Sequence, residues 1–412
     1  MEKKRVLWFE VTTPSKYNNN NLVIGGWQDS LQKIVQEIQD IELYVAFPTK
    51  NVAYNVKKND GVTYLPIKLE YNFFEKIRSK WTWDIYAKKV CCAAFKVVSE
   101  VRPDIIHCFG SEWLWGLVAE KTNIPCVIHI QGSIVPYMNA QFPPGYNEYT
   151  VAEAIGLKKM LTIKKQRMLT QSWVKQETRL WKTVKYYMGR TQWDLALTKM
   201  MNPAACYFHV DEALRESFFS CTDSWHCPQG NKIILFSTGC TTFWKGPDMM
   251  LKTAKILKNN GIDFEWLVAG KMDSKMKKVV EHHEACKFED VNIKLIGFTK
   301  PDVLINYLCN CTMYVHTAYI ENSPNSICEA QILGVPVVST NVGGISSLID
   351  GNGILVPAND PWQMANAIID LSENKRMMSV FSEKGKEIAC KRHSPSLIKK
   401  QLINCYKTII GF

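Results

Sequence analysis

Short apolar runs alternate with amphipathic stretches along nearly the whole chain, and the two periods predict strands and helices in turn. In the first half, Arg5–Val11 reads as a strand, and after a polar loop a Gly25-Gly26 pair opens a helix over Trp27–Ile38. Strands follow at Ile41–Ala46, Ile105–Cys108 and Cys126–Ile130, with helices over Lys88–Val101 and Leu114–Lys121. A long helical stretch then leads to a strand near Tyr186–Met188. Around Cys221–Gly230 the chain turns polar and loop-like, which marks a domain boundary, and the same alternation then restarts. Its strands are Ile233–Ser237, Glu265–Ala269, Ile293–Gly297, Met313–His316 and Val337–Ser339; its helices are Pro247–Leu257, Asp273–Ala285, Asp302–Cys309, Pro324–Leu333 and Trp362–Leu371. The chain ends in a basic helix, Ser394–Ile410. Strand–helix alternation of this kind builds parallel sheets covered on both faces. The expected architecture is α/β, two doubly wound Rossmann-like domains in sequence. Ligands of such sheets bind beyond the carboxyl ends of the strands, so a cleft between the domains is where one is expected.

The segment from Tyr314 to Pro336 carries the densest chemistry. It reads as a strand, a tight polar loop and a helix, with Ser323 as N-cap, Pro324 as first helical residue, and Gly334 and Pro336 ending it. A helix amino end aimed at the cleft is a ready anion site. Glu321 lies in the loop, and Glu329 lies about 7.5 Å along the helix axis at ~1.5 Å per residue. That separation suits one carboxylate on a sugar and one on a ribose, with a diphosphate between them; by itself, the same spacing also fits a solvated helix face.

With these residues in hand, the chain resembles the family 4 retaining glycosyltransferases of the GT-B fold, whose hallmark is two glutamates with seven residues between them. Further segments fit in the same order: Ile234–Ser237 leading to Lys245-Gly246, Leu267–Gly270, Leu295–Phe298, and Val337–Thr340 leading through Gly343-Gly344 to Pro357. The likeness covers most of residues 230–375; the first half matches in outline. It implies an acceptor-binding domain over 1–224, a donor-binding domain over 230–390 and a last helix, 391–412, that crosses back onto the first. By position, Lys245 resembles the lysine that holds the donor diphosphate, as a compact ammonium can. Glu321 matches the glutamate on the donor sugar and Glu329 the one on the ribose hydroxyls. Asn322, Ser323, Pro324, Asn325 and Ser326 form the stretch that offers backbone donors. Gly26, with Gly25, resembles a loop that approaches the diphosphate from the other domain, although a glycine pair between strand and helix is also an ordinary turn.

Two features depart from the family. The loop Thr238–Lys245 contains no arginine where one usually precedes the lysine, and it has one extra residue. By strand register, Gln131 and not His129 takes the place of the family's histidine. Arg190 is a candidate replacement contact to phosphate or acceptor if it faces the cleft; otherwise it pairs with Asp194 one helical turn on. The resemblance implies transfer of a hexose-type sugar from a UDP- or GDP-sugar to a glycan or polyprenyl-linked acceptor in cell-surface polysaccharide assembly. No metal and no other cofactor is expected. The missing arginine leaves open a catalytically impaired homologue that binds nucleotide sugar as a partner subunit. The glutamate spacing with Lys245 counts against an epimerase or phosphorylase of the same fold.

Charge and cysteines add partners and compartment. The net charge is +11, which favours anionic partners. Residues 156–187 hold nine Lys and Arg against the single acid Glu177, interleaved with apolar and aromatic side chains, and residues 71–83 repeat the mixture. Such stretches read as an anionic membrane surface contact or as basic helices with a core face. No nucleic-acid-binding motif accompanies them. Fourteen scattered cysteines fit a reduced, cytoplasmic protein, and the basic stretches would place it peripherally on the inner face of the membrane. Cys221 and Cys227 have no second pair to complete a zinc site.

Overall fold

The computed structural model describes residues 3–17, 26–51, 53–156 and 160–411. It divides into two compact units, one of residues 1–135, 165–215 and 392–412, the other of 136–164 and 216–391. The segment 136–164, which the sequence reading kept in the first domain, is therefore built into the second unit. The junction after the first domain falls at 215–216, ahead of the polar Cys221–Gly230 stretch.

The first unit is an eight-stranded sheet of β1 (Lys4–Phe9), β2 (Ile41–Pro48), β3 (Lys57–Asn59), β4 (Val62–Ile67), β5 (Ile105–Phe109), β6 (Cys126–His129), β7 (Tyr186–Gly189) and β8 (Cys206–His209). Their order is β3-β4-β2-β1-β5-β6-β7-β8. All pairs are parallel except β3 with β4, a hairpin closed by Asp60 and Gly61, both at positive φ. Successive β1 side chains point to opposite faces, so Val6 and Trp8 enter one core while Leu7 and Phe9 enter the other. The first core is completed by the helices Trp27–Gln36 and Pro395–Ile410, through Leu31, Val35, Ile398, Leu402 and Tyr406. The second is completed by Asp84–Val101 and the end of Met160–Thr183, through Val90, Ala94, Leu180 and Trp181. The expected helix over Leu114–Lys121 is instead a 3-10 turn, Trp115–Glu120. Leu114 before it is left-handed at φ 61°, and a Cβ on Gly116 would strike Ile128, so the turn is held tight against β6.

The second unit holds β9 (Ile233–Thr238), β10 (Phe264–Ala269), β11 (Ile293–Gly297), β12 (Met313–His316), β13 (Val337–Thr340) and β14 (Ile354–Val356). They form a parallel sheet in the order β11-β10-β9-β12-β13-β14. The sequence switch point lies between β9 and β12, whose carboxyl ends therefore flank a natural ligand position. No helix among the described residues is long and apolar enough to cross a membrane, and all fourteen cysteines are free thiols.

The last helix docks through a buried polar contact as well as through its apolar face. Trp8 Nε1 donates to the Tyr406 hydroxyl at 3.0 Å, and that hydroxyl lies 2.6 Å from His107 Nδ1. All three side chains are buried. Tyr406→Phe keeps the ring and strands both partners, so it should lower unfolding free energy by about 1–3 kcal/mol, read as a shift of the denaturant midpoint at unchanged slope.

Candidate functional site

In the second unit, the loop after β12 and the loop after β9 are stitched together at the carboxyl edge of the sheet. Thr317 Oγ1 donates to the Lys245 carbonyl at 3.0 Å, and the Tyr319 amide donates to the Trp244 carbonyl at 2.7 Å. Gly246 sits at φ +70°, and a Cβ there would overlap the Thr317 carbonyl. Gly343, at φ +54°, is pressed in the same way against the carbonyl of Glu321, which also accepts the Gly344 amide at 2.9 Å. These glycines are the Lys-Gly and Gly-Gly signals of the sequence, and close backbone approach is their physical reason.

The stitching places the Lys245 ammonium in an ion pair with the Glu321 carboxylate. Glu321 is 8% exposed, and Asn322, Ser323, Pro324 and Glu329 are buried beside it, with Asn325 and Ser326 half-buried. His316, at the end of β12, is driven by burial, with the Lys245 charge adding, to a pKa of about 3, so it is neutral. The helix here is Asn325–Ile332, one residue later than expected, with Pro324 as its N-cap at ψ 118°. The Pro324 carbonyl already accepts the Ile327 amide at 3.0 Å. Because Pro324 is itself extended and takes the cap position, Ser323 stands one residue outside the cap; its Oγ lies 3.9 Å from Cys328 Sγ.

Lys245, Glu321, Glu329 and the 322–326 stretch thus converge in one unit. Gly26, Gln131 and Arg190 belong to the other. Gly26 is the N-cap of Trp27–Gln36 at φ −68°, and among the described residues nothing crowds a Cβ there or demands glycine; Gly25 lies outside the described residues. Gln131 follows β6 and is half-buried. Arg190 is buried: its Nη1 donates to the Ile130 carbonyl at 2.9 Å, its Nε pairs with Glu212 at 3.1 Å, and its guanidinium stands 5.5 Å from the Trp27 ring. The alternative pairing with Asp194 is not made by the side chain. Asp194 instead accepts the Arg190 and Thr191 amides, as the third residue of a capping box.

Two acids of the first unit were not singled out as site residues. Glu177, the lone acid of the basic stretch, is fully buried and accepts Ser111 Oγ at 2.6 Å, Ser133 Oγ at 3.0 Å and the Val135 amide at 2.9 Å. It fixes the turn after β6 that carries Gln131. Glu112, after β5, folds over Gly110, and burial, with the Glu177 charge adding, raises its pKa to about 8. Its position at the carboxyl end of a central strand was the available signal. Among the described residues, no group of three His, Cys, Asp or Glu is placed to hold a metal ion.

Residues 226–388 match the family model of glycosyl transferases group 1. An uncharacterized glycosyltransferase of Methanocaldococcus jannaschii is 28% identical over 172 residues, which cover 39% of this chain and 47% of that protein. The amylovoran biosynthesis glycosyltransferase AmsK of Erwinia amylovora is 27% identical over 163 residues, covering 37% and 38%. The match thus spans less than half the length of these curated relatives. Among solved structures, sucrose-phosphate synthase from Thermosynechococcus elongatus superposes with a TM-score of 0.74 at 14% identity, covering 99% of both chains. HepE of Anabaena, solved with UDP and glucose, gives 0.64 at 14% identity over 98% of this chain and 100% of its own. At that identity the likeness establishes the fold, which is GT-B.

Glu112 sets a pH signature for the first unit. Its folded pKa lies above the ordinary carboxylate value, so the folded state holds a proton that the unfolded state has lost. Its contribution is present below about pH 4.5 and is lost as pH rises through about 8. Glu112→Gln cannot ionise, so the variant's melting temperature minus that of wild type should increase from pH 5 to pH 8.5 and level off above. A flat difference would show that Glu112 ionises normally.

Proposed function

We propose, from the match of residues 226–388 to the family model of glycosyl transferases group 1, that the chain is a retaining glycosyltransferase. It moves a hexose-type sugar from a UDP- or GDP-sugar to a glycan or polyprenyl-linked acceptor in cell-surface polysaccharide assembly, without a metal ion. The observation that carries this reading is the Lys245–Glu321 pair at the carboxyl edge of β9 and β12, with Glu329 buried in the helix behind it. Relatives named for amylovoran and capsular polysaccharide biosynthesis support the acceptor class. Structural neighbours solved with UDP and UDP-glucose support the donor class.

In this reading Lys245 holds the donor diphosphate, Glu321 the sugar and Glu329 the ribose, while the 322–326 backbone lines the phosphate and sugar. The bond from the anomeric carbon to the leaving phosphate breaks as the acceptor oxygen bonds to the same face, and the acceptor proton passes to that phosphate. The protein's share is positioning and stabilisation of the charge on the leaving diphosphate. Gln131 and Arg190 are proposed acceptor-side residues, the latter by shaping the edge of the first unit from a buried position.

The missing arginine keeps a second reading alive, a homologue that binds nucleotide sugar without turning it over. Thermal-shift screening against nucleotides and nucleotide sugars, wild type beside Glu329→Ala, tests the donor site. A ligand at a hundredfold excess over its dissociation constant should add about 2.7 kcal/mol of stability. The reading expects a shift with a UDP- or GDP-compound that the variant loses. No shift across the panel would remove it, and a shift without product release in a turnover assay would favour the binding subunit.

We also propose that the first unit rests on an anionic membrane surface at the cytoplasmic face. Phe73, Phe74, Ile77 and Trp81 are exposed beside Lys76, Arg78 and Lys80, and Lys165 stacks over Trp81 with exposed Met168 on the same helix. Leu157, Lys158 and Lys159 of the 156–187 stretch lie outside the described residues. Vesicles containing phosphatidylglycerol should sediment the protein and phosphatidylcholine vesicles should not. Replacing Phe73 and Phe74 by serine should weaken that binding about tenfold or more, given the apolar area withdrawn from water; equal sedimentation of variant and wild type would exclude this surface.

A further inference from the structure

The segment 136–164 has its own work in the second unit. Its helix Glu148–Ile155 lies along Ser274–His283 and is capped by Asn147, whose side chain accepts the Tyr149 and Thr150 amides at 2.8 and 3.1 Å. Ahead of that helix three aromatic rings reach the loop after β9. Tyr137 lies 5.7 Å from Trp244, Phe142 5.8 Å from Phe243, and Tyr146 6.0 Å from Phe243, ring to ring. Tyr146 also packs 4.2 Å from His283 and donates its hydroxyl to Glu284 at 2.7 Å. Lys252 bridges Glu284 at 3.4 Å and Asp248 at 3.1 Å, and Asp248 accepts the Tyr319 hydroxyl at 2.7 Å.

Phe243 and Trp244 are the two residues before Lys245. Their side chains meet these rings, and the backbone is held by Tyr319 at the Trp244 carbonyl and by Thr317 at the Lys245 carbonyl. At its start the loop has Gly239 at φ +71°, with open space around a Cβ, so the loop is not packed tightly there. A lysine on a long, rotatable stem is only as well placed as the backbone that carries it. We propose that residues 136–155 are a positioning strap for Lys245: Phe142 and Tyr146 hold Phe243, and Tyr137 meets Trp244, so that the ammonium stands at Glu321, where the diphosphate of a nucleotide donor would meet it. This rests on the donor-site reading above. It also explains how a loop with one extra residue and no arginine still presents a fixed cation.

Two measurements on the full chain separate the strap from the donor site. In hydrogen exchange, Phe142→Ala/Tyr146→Ala should raise exchange over residues 239–246 severalfold and leave β10 protected; unchanged exchange in that loop would overturn the strap whatever the ligand. In calorimetric titration with UDP, GDP and their monophosphates, the double variant should lose about tenfold in diphosphate affinity, as expected for weakening one charge-assisted contact, and keep its monophosphate affinity. Lys245→Ala should show the same selective loss. Tyr146→Phe, which keeps the ring, should retain most of the diphosphate affinity, a rescue that general destabilisation would not produce. Equal loss for both ligands in the double variant would mean a collapsed unit and would overturn positioning. If Lys245→Ala changes neither affinity, the donor-site reading falls, and with it the link from strap to ligand.

Discussion

A half-buried ammonium and a buried carboxylate meet where β9 and β12 run out, and the second unit is arranged around keeping them together. Lys245 retains 28% of its side-chain exposure and Glu321 10%. A pair this buried is weak evidence for stability, because desolvating both charges offsets much of their attraction. Its cost is tolerable only if the geometry is fixed in advance. That fixing is visible in the backbone: two loops are joined by hydrogen bonds on either side of the pair, and at Gly246 and Gly343 the approach leaves no room for a side chain.

The parallel sheet supplies the frame. With β9 between β10 and β12, the strand that begins the unit is flanked by later strands on both sides, and the two loops that carry charge leave from neighbouring carboxyl ends. The helix Asn325–Ile332 then starts directly after the loop bearing Glu321, which brings its amino end and Glu329 to the same place. The first unit repeats the plan with different chemistry. Its carboxyl edge carries Glu112, Gln131 and the buried Glu177, and Arg190 is committed to Glu212 and to a carbonyl. The cation and the acids of that edge are structural partners first, and their influence on a ligand acts through the loops they hold.

Much of this could be read from the chain. The strands of the second unit were legible because β9 to β13 are short, mostly apolar runs bounded by polar or glycine-bearing turns, and Lys245, Glu321 and Glu329 stood out by spacing. Four features were not legible, for physical reasons. The β3–β4 hairpin pairs a three-residue charged strand with one interrupted by Pro66, and its clearest signal is Asp60-Gly61. Leu114 adopts a left-handed conformation that no propensity predicts, and so turned an expected helix into a 3-10 turn. Arg190 found Glu212, twenty-two positions on, where local spacing suggested Asp194. The segment 136–164 changes units, and nothing in its periodicity says which sheet its rings will meet.

The unpartnered look of a motif in sequence and its partnered state in the fold bear on the chemistry as well. Lys245 already has an anion beside it, so a diphosphate arriving there does not meet a bare cation. It must share or replace a carboxylate, and the free energy of that exchange is the difference between two charge-assisted contacts rather than the whole of one. Such a difference is small and therefore sensitive to where the ammonium is held. A buried acid that keeps its cation pointed at the ligand position costs affinity in the ground state, but it removes the disorder of a free lysine stem before the ligand arrives. Glu321 can do this because its own backbone is clamped by Gly344, and Lys245 because its backbone is clamped by Thr317. The constraint that makes the pair costly is thus the same one that makes it a fixed place for a phosphate to bind.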